Sequence, residues 1–378
     1  MGDGYDVVVC TRCGAGFADG VPSQPEMDRY YAEQSKYSYD PAGGCESPWD
    51  FARFEATADQ VVSHLKSKEA RILDIGCATG GLLSVFERRG FPNVTGVDPS
   101  PECAEAAARL YALKVRTAAL SGIRGWTERF DLVLMLGTLE HIREAGDAVR
   151  TAAGLLAPGG LLYCAVPDTE GLPEHPGSPY QQFSVEHVNF FSLHSLDRLL
   201  GSCGLAPVDR ARWSVEWRSG VIEPIASGLY RAGPVAPASF DAATGPALER
   251  YLEISREGDR EILGVIEAIA RSREPILVWG AGSLTRRLLA TTRLGEASIA
   301  AFVDGNTHLA GGTLAGKPIL SPGELGGRGE TILISSLAFR EEILGEIRGK
   351  RGLRNPVISL TGEKPTGSEG PRETRAHP

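Results

Sequence analysis

Between residues 71 and 168, short apolar runs of strand length alternate with longer stretches in which apolar residues recur at helical spacing. A short apolar run bounded by turn residues is typical of a buried strand, and the stretches between the runs are long enough to form crossover helices. This alternation predicts an α/β fold, with a parallel sheet covered by helices on both faces and ligands bound beyond the carboxyl ends of the strands. The predicted strands are "ARILDIGC", "VTGVDP", "KVRTAAL", "FDLVLMLGT" and "GLLYCAVPD".

A turn of small residues, "GCATGG" at positions 76–81, follows the first predicted strand. Small residues let a ligand approach the main chain there, while the helix that follows presents free N–H groups. Asp98 ends the second strand about 20 residues after Gly76, where a carboxylate is suited to accept hydrogen bonds from both ribose hydroxyls. The pattern predicts a nucleoside site. A dinucleotide cofactor and another nucleoside both fit it, and a packing role for the glycines is the alternative.

Length and charge narrow the class of protein. The chain of 378 residues exceeds what one hydrophobic core usually serves, so we expect more than one domain. A formal net charge of −9 without clustered Lys and Arg argues against a nucleic acid partner. We expect no membrane partner and a cytoplasmic location, because no apolar stretch reaches spanning length and the first residues do not resemble a secretory signal. Seven scattered cysteines fit reduced thiols.

Two Glu-His pairs are candidates for acid–base chemistry. The first, Glu140-His141, follows the strand "FDLVLMLGT" and is predicted to line the site. The second, Glu186-His187, lies in a loop rich in Gly, Pro and aromatic residues, and such loops often cover active sites. Histidine suits a general base because it exchanges a proton near neutral pH. We predict His187 as the base and Glu186 as the nearest carboxylate to orient it; the alternative is that this pair caps or tethers the loop.

Four tyrosines stand in the stretch "DRYYAEQSKYSYD", at positions 30, 31, 37 and 39. They are predicted either to form an aromatic lid or to pack on the core, and both interpretations remain open. A phenol near a site also takes part in proton transfer in some enzymes. The candidate catalytic residues are His187, Glu186, His141, Tyr37 and Tyr39.

A cysteine pair, Cys10 and Cys13 in "CTRCGAGF", has the spacing of half a zinc knuckle. A structural zinc site needs four ligands, and the chain contains no second C-x-x-C motif. Zinc is therefore not favoured, although Cys45 or a second chain could supply the missing ligands. We predict no metal-binding residues.

A second α/β pattern follows a linker rich in Pro, Gly and Ala and a charged helical stretch. "PILVWGAGSLTRRLL" has the order strand, glycine turn and helix, and Asp304 follows Gly280 at a spacing similar to that of Asp98 after Gly76. This unit is either a second nucleotide site or a Rossmann-like scaffold without cofactor, and the missing third glycine favours the scaffold. The predicted segments are 1–48 (N-terminal segment), 49–217 (nucleoside-binding domain), 218–273 (linker and helices), 274–361 (C-terminal Rossmann-like domain) and 362–378 (disordered tail).

The ordered motifs from residue 50 to residue 213 resemble those of the class I S-adenosylmethionine-dependent methyltransferases. They comprise the "ILDIGCATGG" turn, Asp98, "LEHI" after the fourth strand, and "LLAPGG" before the fifth. The resemblance implies that the first turn holds the methionine part of S-adenosyl-L-methionine and that Asp98 holds the ribose. It also implies that residues after the third and fourth strands flank the adenine and the methyl group. The implied cofactor-binding residues are Asp74, Gly76, Cys77, Ala78, Gly80, Asp98, Pro99, Leu120, Gly137 and Thr138.

The chain has three parts in order: the cysteine-bearing N-terminal segment, the methyltransferase-like part and the C-terminal Rossmann-like unit. This order resembles that of the methyltransferases that act on nucleotide-linked deoxysugars, notably the sugar C-methyltransferase group. In that group two cysteine pairs bind zinc in the N-terminal part, and the C-terminal unit helps to enclose the nucleotide sugar. This chain lacks the first cysteine pair, and it has Ser184-Val185-Glu186-His187 where the group has Tyr-x-Glu-His. O-methylation of a related small molecule is therefore an equal expectation.

Three functions remain open on the sequence. We predict a methyltransferase that uses S-adenosyl-L-methionine and acts on a small molecule, either an activated sugar or an intermediate of natural product biosynthesis. An NAD-dependent sugar oxidoreductase is the alternative enzyme, since two Rossmann-like turns are present. A non-catalytic nucleotide-binding module is the third hypothesis. The acceptor atom and the oligomeric state are not predicted.

Overall fold

A computed structural model describes residues 5–33, 45–184, 186–218, 220–235, 239–306 and 309–361. Tyr37, Tyr39 and the predicted disordered tail lie outside these residues. The described chain forms two compact units: the first extends to residue 259 and includes residue 306, and the second contains the remainder from residue 260. No helix within the described ranges is both long enough and apolar enough to cross a membrane.

The first unit contains a three-stranded sheet, a seven-stranded sheet and the helices around them. The last of its helices, α8, continues into the second unit from residue 260. In chain order its elements are β1 (Asp6–Val9), β2 (Gly16–Asp19), α1 (Gln24–Glu33), α2 (Pro48–Val62), β3 (Ile72–Ile75), α3 (Gly81–Arg88), β4 (Val94–Asp98), α4 (Pro101–Tyr111), β5 (Val115–Thr117), α5 (Leu120–Ile123), β6 (Phe130–Leu136), α6 (Ala145–Gly154), β7 (Leu156–Pro167), β8 (Asn189–Phe190), α7 (Leu193–Ser202), β9 (Leu205–Arg218), β10 (Val221–Ala232) and α8 (Thr244–Ser272).

The seven-stranded sheet has the order β5-β4-β3-β6-β7-β10-β9, in which β3 to β7 are parallel. These five strands are the ones predicted from the apolar runs, so the α/β prediction is confirmed. Both faces of the sheet are covered: Leu132 and Leu134 belong to one hydrophobic cluster, while Val133 and Met135 belong to another. Burial on both faces explains why the strands read as continuous apolar runs instead of alternating ones.

A long antiparallel hairpin, β9 and β10, completes this sheet beside β7. The predicted linker begins at residue 218, whereas β10 lies inside the sheet between β7 and β9, with Ile225 paired to Pro167. Its residues 224–230 are all buried. Its Pro, Ala, Ser and Gly residues resemble linker composition, but small residues also suit a strand covered on both faces.

The three-stranded sheet joins the N-terminal segment to the loop that follows β7. Strand β2 pairs with β1 and with β8, with Gly16 opposite Phe190. A small cluster of its own, which includes Met27, Val188 and Phe190, fills the space beneath this sheet. The loop that carries Glu186 and His187 is therefore fixed at its far end by the N-terminal segment.

The second unit contains a six-stranded sheet in the order β13-β14-β12-β11-β15-β16, parallel except for the β13–β14 pair. The order strand, glycine turn and helix predicted for "PILVWGAGSLTRRLL" is confirmed. Later strands form at "IAAFV", "TILI" and "VIS", and a short helix forms at "REEILG". Its elements are the end of α8, β11 (Ile276–Trp279), α9 (Ser283–Thr291), β12 (Ile299–Val303), β13 (Thr313–Leu314), β14 (Lys317–Leu320), β15 (Thr331–Ile334), α10 (Arg340–Gly345) and β16 (Val357–Ser359).

Candidate functional site

The turn after β3 is a tightly held loop, which we call the glycine loop (residues 76–81). Gly76 and Gly80 have φ angles of +77° and +85°, in the left-handed region that glycine adopts without strain. Ala78 also has a positive φ, of +49°, which costs about 1 kcal/mol or more in a residue with a Cβ atom. A Cβ atom on Gly76 would lie 2.8 Å from Thr138 Oγ1, so the close approach of β6 also requires glycine there.

Asp98, at the end of β4, fastens the glycine loop. Its Oδ2 accepts a hydrogen bond from the Ala78 N–H at 2.9 Å, and its Oδ1 accepts one from the Ser100 N–H at 3.0 Å. The side chain is buried, with 8% of its surface exposed. A carboxylate oxygen has two lone pairs, so these bonds are compatible with further bonds to ribose hydroxyls. Asp98 is thus a structural residue of the loop as well as a predicted ligand.

The other predicted cofactor residues surround this loop. Gly137 has a φ of +63°, and the Thr138 hydroxyl donates to the carbonyls of Ile75 and Leu136 at 3.1 and 3.3 Å, which joins the ends of β3 and β6. Leu120 begins α5, and Pro99 follows β4. Burial raises the pKa of the Cys77 thiol, with the carboxyl groups of Asp74 and Asp98 adding to the effect, so Cys77 is an inert packing residue.

Two ionisable groups lie near the loop: Asp74, which is buried, and Arg53, whose side chain is partly exposed and whose Nη2 is 3.9 Å from Asp50 Oδ1. Burial and, secondarily, the charge of Asp98 raise the pKa of Asp74 to about 7, while Arg53 opposes the shift. Asp74 Oδ1 and Arg53 Nε are both buried and make no hydrogen bond to the described residues. Buried polar atoms are normally hydrogen-bonded, so this pair indicates a polar ligand. The sequence analysis missed Arg53, which lies on α2 with no motif around it.

Glu46, just before α2, covers the start of α3. Thr79 Oγ1 donates to Glu46 Oε1 at 2.5 Å, and the Tyr111 hydroxyl donates to Glu46 Oε2. Burial, followed by the hydrogen bond to Glu46, raises the pKa of Tyr111. This carboxylate was also missed by the sequence analysis, because nothing in the local sequence connects residue 46 with the glycine loop.

Glu140, His141 and His187, which we call the histidine cluster, meet beside the glycine loop. The two imidazole rings are 4.9 Å apart between centroids, and His141 Nε2 is 3.8 Å from Glu140 Oε1. Two hydrogen bonds hold the two segments together: the backbone N–H of Val188 donates to the Glu140 carbonyl at 2.8 Å, and the side-chain Nδ2 of Asn189 donates to the Ile142 carbonyl at 2.7 Å. The structure thus unites the two Glu-His pairs, which the sequence analysis treated separately.

Tyrosines from α1 complete the surroundings of this cluster. The Tyr31 hydroxyl lies 3.0 Å from His141 Nδ1, and the Tyr30 hydroxyl donates to Glu186 Oε1 at 2.8 Å. Burial, followed by the charge of Glu186, raises the pKa of Tyr31. Glu186, predicted to orient His187, binds Tyr30 through its carboxylate, and its carbonyl oxygen lies 3.0 Å from His141 Nδ1. The carboxylate grouped with both imidazoles is that of Glu140.

Cys10 and Cys13 lie on a tight turn after β1. The Gly14 N–H donates to the Cys10 carbonyl at 2.8 Å. A hydrogen bond from the backbone of Arg12, followed by one from the Cys13 side chain, lowers the pKa of the partly buried Cys10 thiol. Within the described ranges, the histidine cluster is the one group of three or more potential metal ligands. The cysteine pair therefore has no third ligand among those residues.

The second unit repeats the construction of the glycine loop. The Ala281 N–H donates to Asp304 Oδ2 at 2.7 Å, as the Ala78 N–H does to Asp98. Gly280 has a φ of +114°, and a Cβ atom there would lie 2.9 Å from the Ser335 carbonyl oxygen. Both features are contacts within the unit, and the choice between a second nucleotide site and a scaffold stays a prediction.

Comparison with known families divides the chain as the two units do. Residues 51–209 match the family described as "Methyltransferase domain" (Methyltransf_23). Residues 272–351 match the family described as "C2185-like, N-terminal". The first match contains the glycine loop, Asp98, Arg53 and the histidine cluster.

Curated relatives and solved structures of similar sequence include several methyltransferases. The ubiquinone biosynthesis O-methyltransferase of Methylocella silvestris is 35% identical over 100 residues, which are 25% of this chain and 39% of that protein. The corresponding protein of Xanthomonas oryzae pv. oryzae is 33% identical over 153 residues, 39% of this chain and 62% of that protein. The chain thus spans less than two thirds of either relative. The structure of Burkholderia thailandensis 1,6-didemethyltoxoflavin-N1-methyltransferase, with bound 1,6-didemethyltoxoflavin and S-adenosylhomocysteine, is 22% identical, with a TM-score of 0.43, and covers 60% of this chain and 98% of that chain.

Proposed function

We propose that this chain, whose residues 51–209 form a class I S-adenosylmethionine-dependent methyltransferase domain, transfers the sulfonium methyl group to an oxygen or carbon atom of a small molecule. One observation carries the proposal: the histidine cluster adjoins the glycine loop. The Thr138 hydroxyl donates to the carbonyl of Ile75, directly before the loop. The backbone N–H of His141 donates to the Thr138 carbonyl at 3.1 Å. A cofactor on the loop would therefore have titratable groups beside it.

The cofactor is placed by complementary charges. Asp98 accepts the ribose hydroxyls, as in other nucleoside sites at the end of a second strand. The methionine part carries a carboxylate and an ammonium group, and the two ionisable groups near the loop offer one partner for each: Arg53 for the carboxylate and Asp74 for the ammonium. This pairing would satisfy two buried polar atoms that have no partner in the described protein.

The reaction needs alignment more than covalent machinery. The acceptor loses a proton, its electron pair attacks the methyl carbon, and the carbon–sulfur bond breaks with its electrons passing to sulfur. Methyl acceptor and sulfonium thus become methylated product, neutral thioether and one proton. Holding the acceptor atom, methyl carbon and sulfur in line supplies much of the acceleration. His187 is the group proposed to withdraw the acceptor's proton, with His141 and Glu140 beside it.

A small-molecule acceptor fits the charge and the neighbouring residues. The chain carries a net charge of −9, which opposes polyanionic substrates. The order of the N-terminal sheet, the methyltransferase domain and a Rossmann-like unit supports a nucleotide-linked sugar as the acceptor. The relatives, which are O-methyltransferases by name, support an oxygen acceptor. Both suggestions belong to the proposal.

Calorimetric titration tests the cofactor assignment. We expect the full chain to bind S-adenosylhomocysteine with a dissociation constant in the micromolar range, about −8 kcal/mol, and not to bind NAD. If the chain binds NAD and does not bind S-adenosylhomocysteine, the proposal of a methyltransferase fails and an oxidoreductase takes its place. Binding of S-adenosylhomocysteine with no methyl transfer to any of a panel of phenols, hydroxy acids and nucleotide-linked sugars would leave a binding module.

Replacing Arg53 with methionine should lower the affinity for S-adenosylhomocysteine by about ten- to a hundredfold, the usual cost of a lost hydrogen bond to a charged group. Methionine keeps much of the volume and removes the charge. Arg71→Met serves as the matched control, since Arg71 lies at the opposite, amino end of β3 and pairs with Asp131 at 3.6 Å. Equal affinities for the two variants would exclude Arg53 from the site.

The affinity for S-adenosylhomocysteine should rise about five- to tenfold between pH 6 and pH 7.5. Free Asp74, whose pKa is about 7, is mostly protonated at pH 6. A bound ammonium group stabilises the carboxylate and lowers this pKa, so the complex holds fewer protons than the free protein and binding strengthens as pH rises. Asp74→Asn should flatten the profile. An identical pH dependence in parent and variant would show that another group titrates.

A further inference from the structure

We propose that Glu140, His141 and His187 hold a divalent first-row transition-metal ion, and that this ion activates the methyl acceptor. The ion's task rests on the proposed function, whereas its binding depends on the three residues alone. Glu140 and His141 come from the turn after β6, and His187 comes from the loop before β8. Each of the three residues contributes one ligand atom.

The spacing of the ligand atoms suits a mononuclear site. One nitrogen from each imidazole and one oxygen of Glu140 all lie within 4.8 Å of one another. Metal–ligand bonds of about 2.1 Å place neighbouring ligands about 3 to 3.5 Å apart. Binding of an ion therefore has to draw the three ligand atoms together. Both histidines are only partly buried, so an ion can enter from solvent.

The hydrogen bonds of His141 orient it as a ligand. Its Nδ1 lies 3.0 Å from both the Glu186 carbonyl oxygen and the Tyr31 hydroxyl. In the tautomer that has its hydrogen on Nδ1, this nitrogen donates to the carbonyl, which only accepts. The lone pair is then on Nε2, the nitrogen that faces Glu140 Oε1 at 3.8 Å. Metal-bound histidines usually donate their other ring N–H to a carbonyl or carboxylate, which fixes the tautomer and the ring orientation. His141 already has this arrangement.

The charge at the cluster also favours a cation. The Glu140 residue is 4% exposed, and a positive charge beside an ionised carboxylate at such a position stabilises it. Its neighbours in the cluster are two imidazoles, which are neutral when each keeps one nitrogen lone pair for a metal. A divalent ion between the three groups supplies the positive charge and uses both lone pairs.

The donor set selects the class of ion. Two imidazole nitrogens and one carboxylate oxygen suit zinc, cobalt, manganese and ferrous iron, whereas magnesium and calcium prefer oxygen ligands. Three protein ligands leave coordination positions for water and for the acceptor, as in catalytic metal sites.

In this account the two histidines act as ligands. An acceptor hydroxyl bound to the ion is acidified and releases its proton to solvent, and its oxygen then attacks the methyl carbon as the carbon–sulfur bond breaks. His187 therefore supports the loss of the proton by holding the ion, and no side chain has to carry the proton away.

Titration of the full chain with cobalt(II) tests the site. Cys10→Ser and Cys13→Ser are included in every protein, so that thiolates do not compete for the ion. We expect one equivalent to bind, with a visible spectrum of nitrogen and oxygen ligation. Glu140→Gln and His187→Ala should each weaken binding by at least about tenfold. His64→Ala is the control, since His64 lies just after α2 and 3.7 Å from Asp209.

S-adenosylhomocysteine binding on the same samples separates the two proposals. Two results would overturn the metal site while the cofactor assignment stands. In the first, S-adenosylhomocysteine binds and cobalt does not. In the second, S-adenosylhomocysteine binds, and Glu140→Gln and His187→Ala bind cobalt as tightly as the parent does. If cobalt binds as expected and S-adenosylhomocysteine does not, the metal site stands and the proposed function fails. Glu140→Gln keeps the shape of the side chain, and His187→Ala changes a separate loop, so a folding defect in one leaves the other informative.

Discussion

Replacing His187 with alanine is expected to lower turnover by about a hundred- to ten-thousandfold, the range for loss of a positioned group that handles the acceptor's proton. The imidazole has to offer a lone pair whether it withdraws the proton itself or holds an ion that acidifies the acceptor. The affinity for S-adenosylhomocysteine should stay within about twofold of the parent, because His187 lies on the loop before β8 and not on the glycine loop.

The measurement is release of S-adenosylhomocysteine at saturating concentrations of both substrates, with an acceptor found by screening. His64→Ala controls for loss of any imidazole. Turnover of the His187 variant within about threefold of the parent would contradict the assignment and leave His187 a structural residue. The search would then move to His141, Tyr37 and Tyr39, of which His141 has its place in the cluster.

Asp98→Ala should lower the affinity for S-adenosylhomocysteine by about ten- to a hundredfold and should also lower the stability of the first unit. The sequence alone predicts only the loss of affinity. The structure adds the second effect, because the carboxylate accepts the N–H groups of Ala78 and Ser100, each bond contributing about 1 kcal/mol. Without them the backbone of Ala78 loses the partner that holds its left-handed conformation.

Asp98→Asn distinguishes the two effects. Its carbonyl oxygen still accepts one backbone N–H, so the melting temperature should fall less than in Asp98→Ala, while loss of the charge still weakens the ribose contact. Calorimetry gives the affinity, and thermal unfolding followed by circular dichroism gives the stability. An Asp98→Ala variant that binds S-adenosylhomocysteine as tightly as the parent would remove Asp98 from the nucleoside site.

The parallel strands and the glycine loop were predictable because their signals are local. Buried parallel strands are apolar at nearly every position, and the loop that follows needs small residues at fixed places. The hairpin strand β10 was missed because Pro, Ser and Gly interrupt its apolar residues, and because its burial depends on pairing with β7, which is distant in sequence. Strand pairing of this kind leaves little trace in the residues themselves.

The sequence predicts the two Glu-His pairs of the site but not that they lie together. Each Glu-His pair is visible in the sequence, but their meeting depends on contacts such as that of Asn189 Nδ2 with the Ile142 carbonyl. Arg53 was missed because a single arginine on an amphipathic helix is ordinarily solvated, and only its buried Nε atom and its closeness to Asp74 set it apart. Tyr31 was named as one of a group, without the hydrogen bond to His141 that gives it a position.

The pairing of β8 with β2 has an evolutionary consequence. The acceptor side of the site is built partly on the N-terminal segment, through this pairing and through the two tyrosines of α1, whereas the groups proposed to hold the cofactor all lie after residue 50. Selection for a new acceptor can therefore act on the first 33 residues without disturbing the methyl donor.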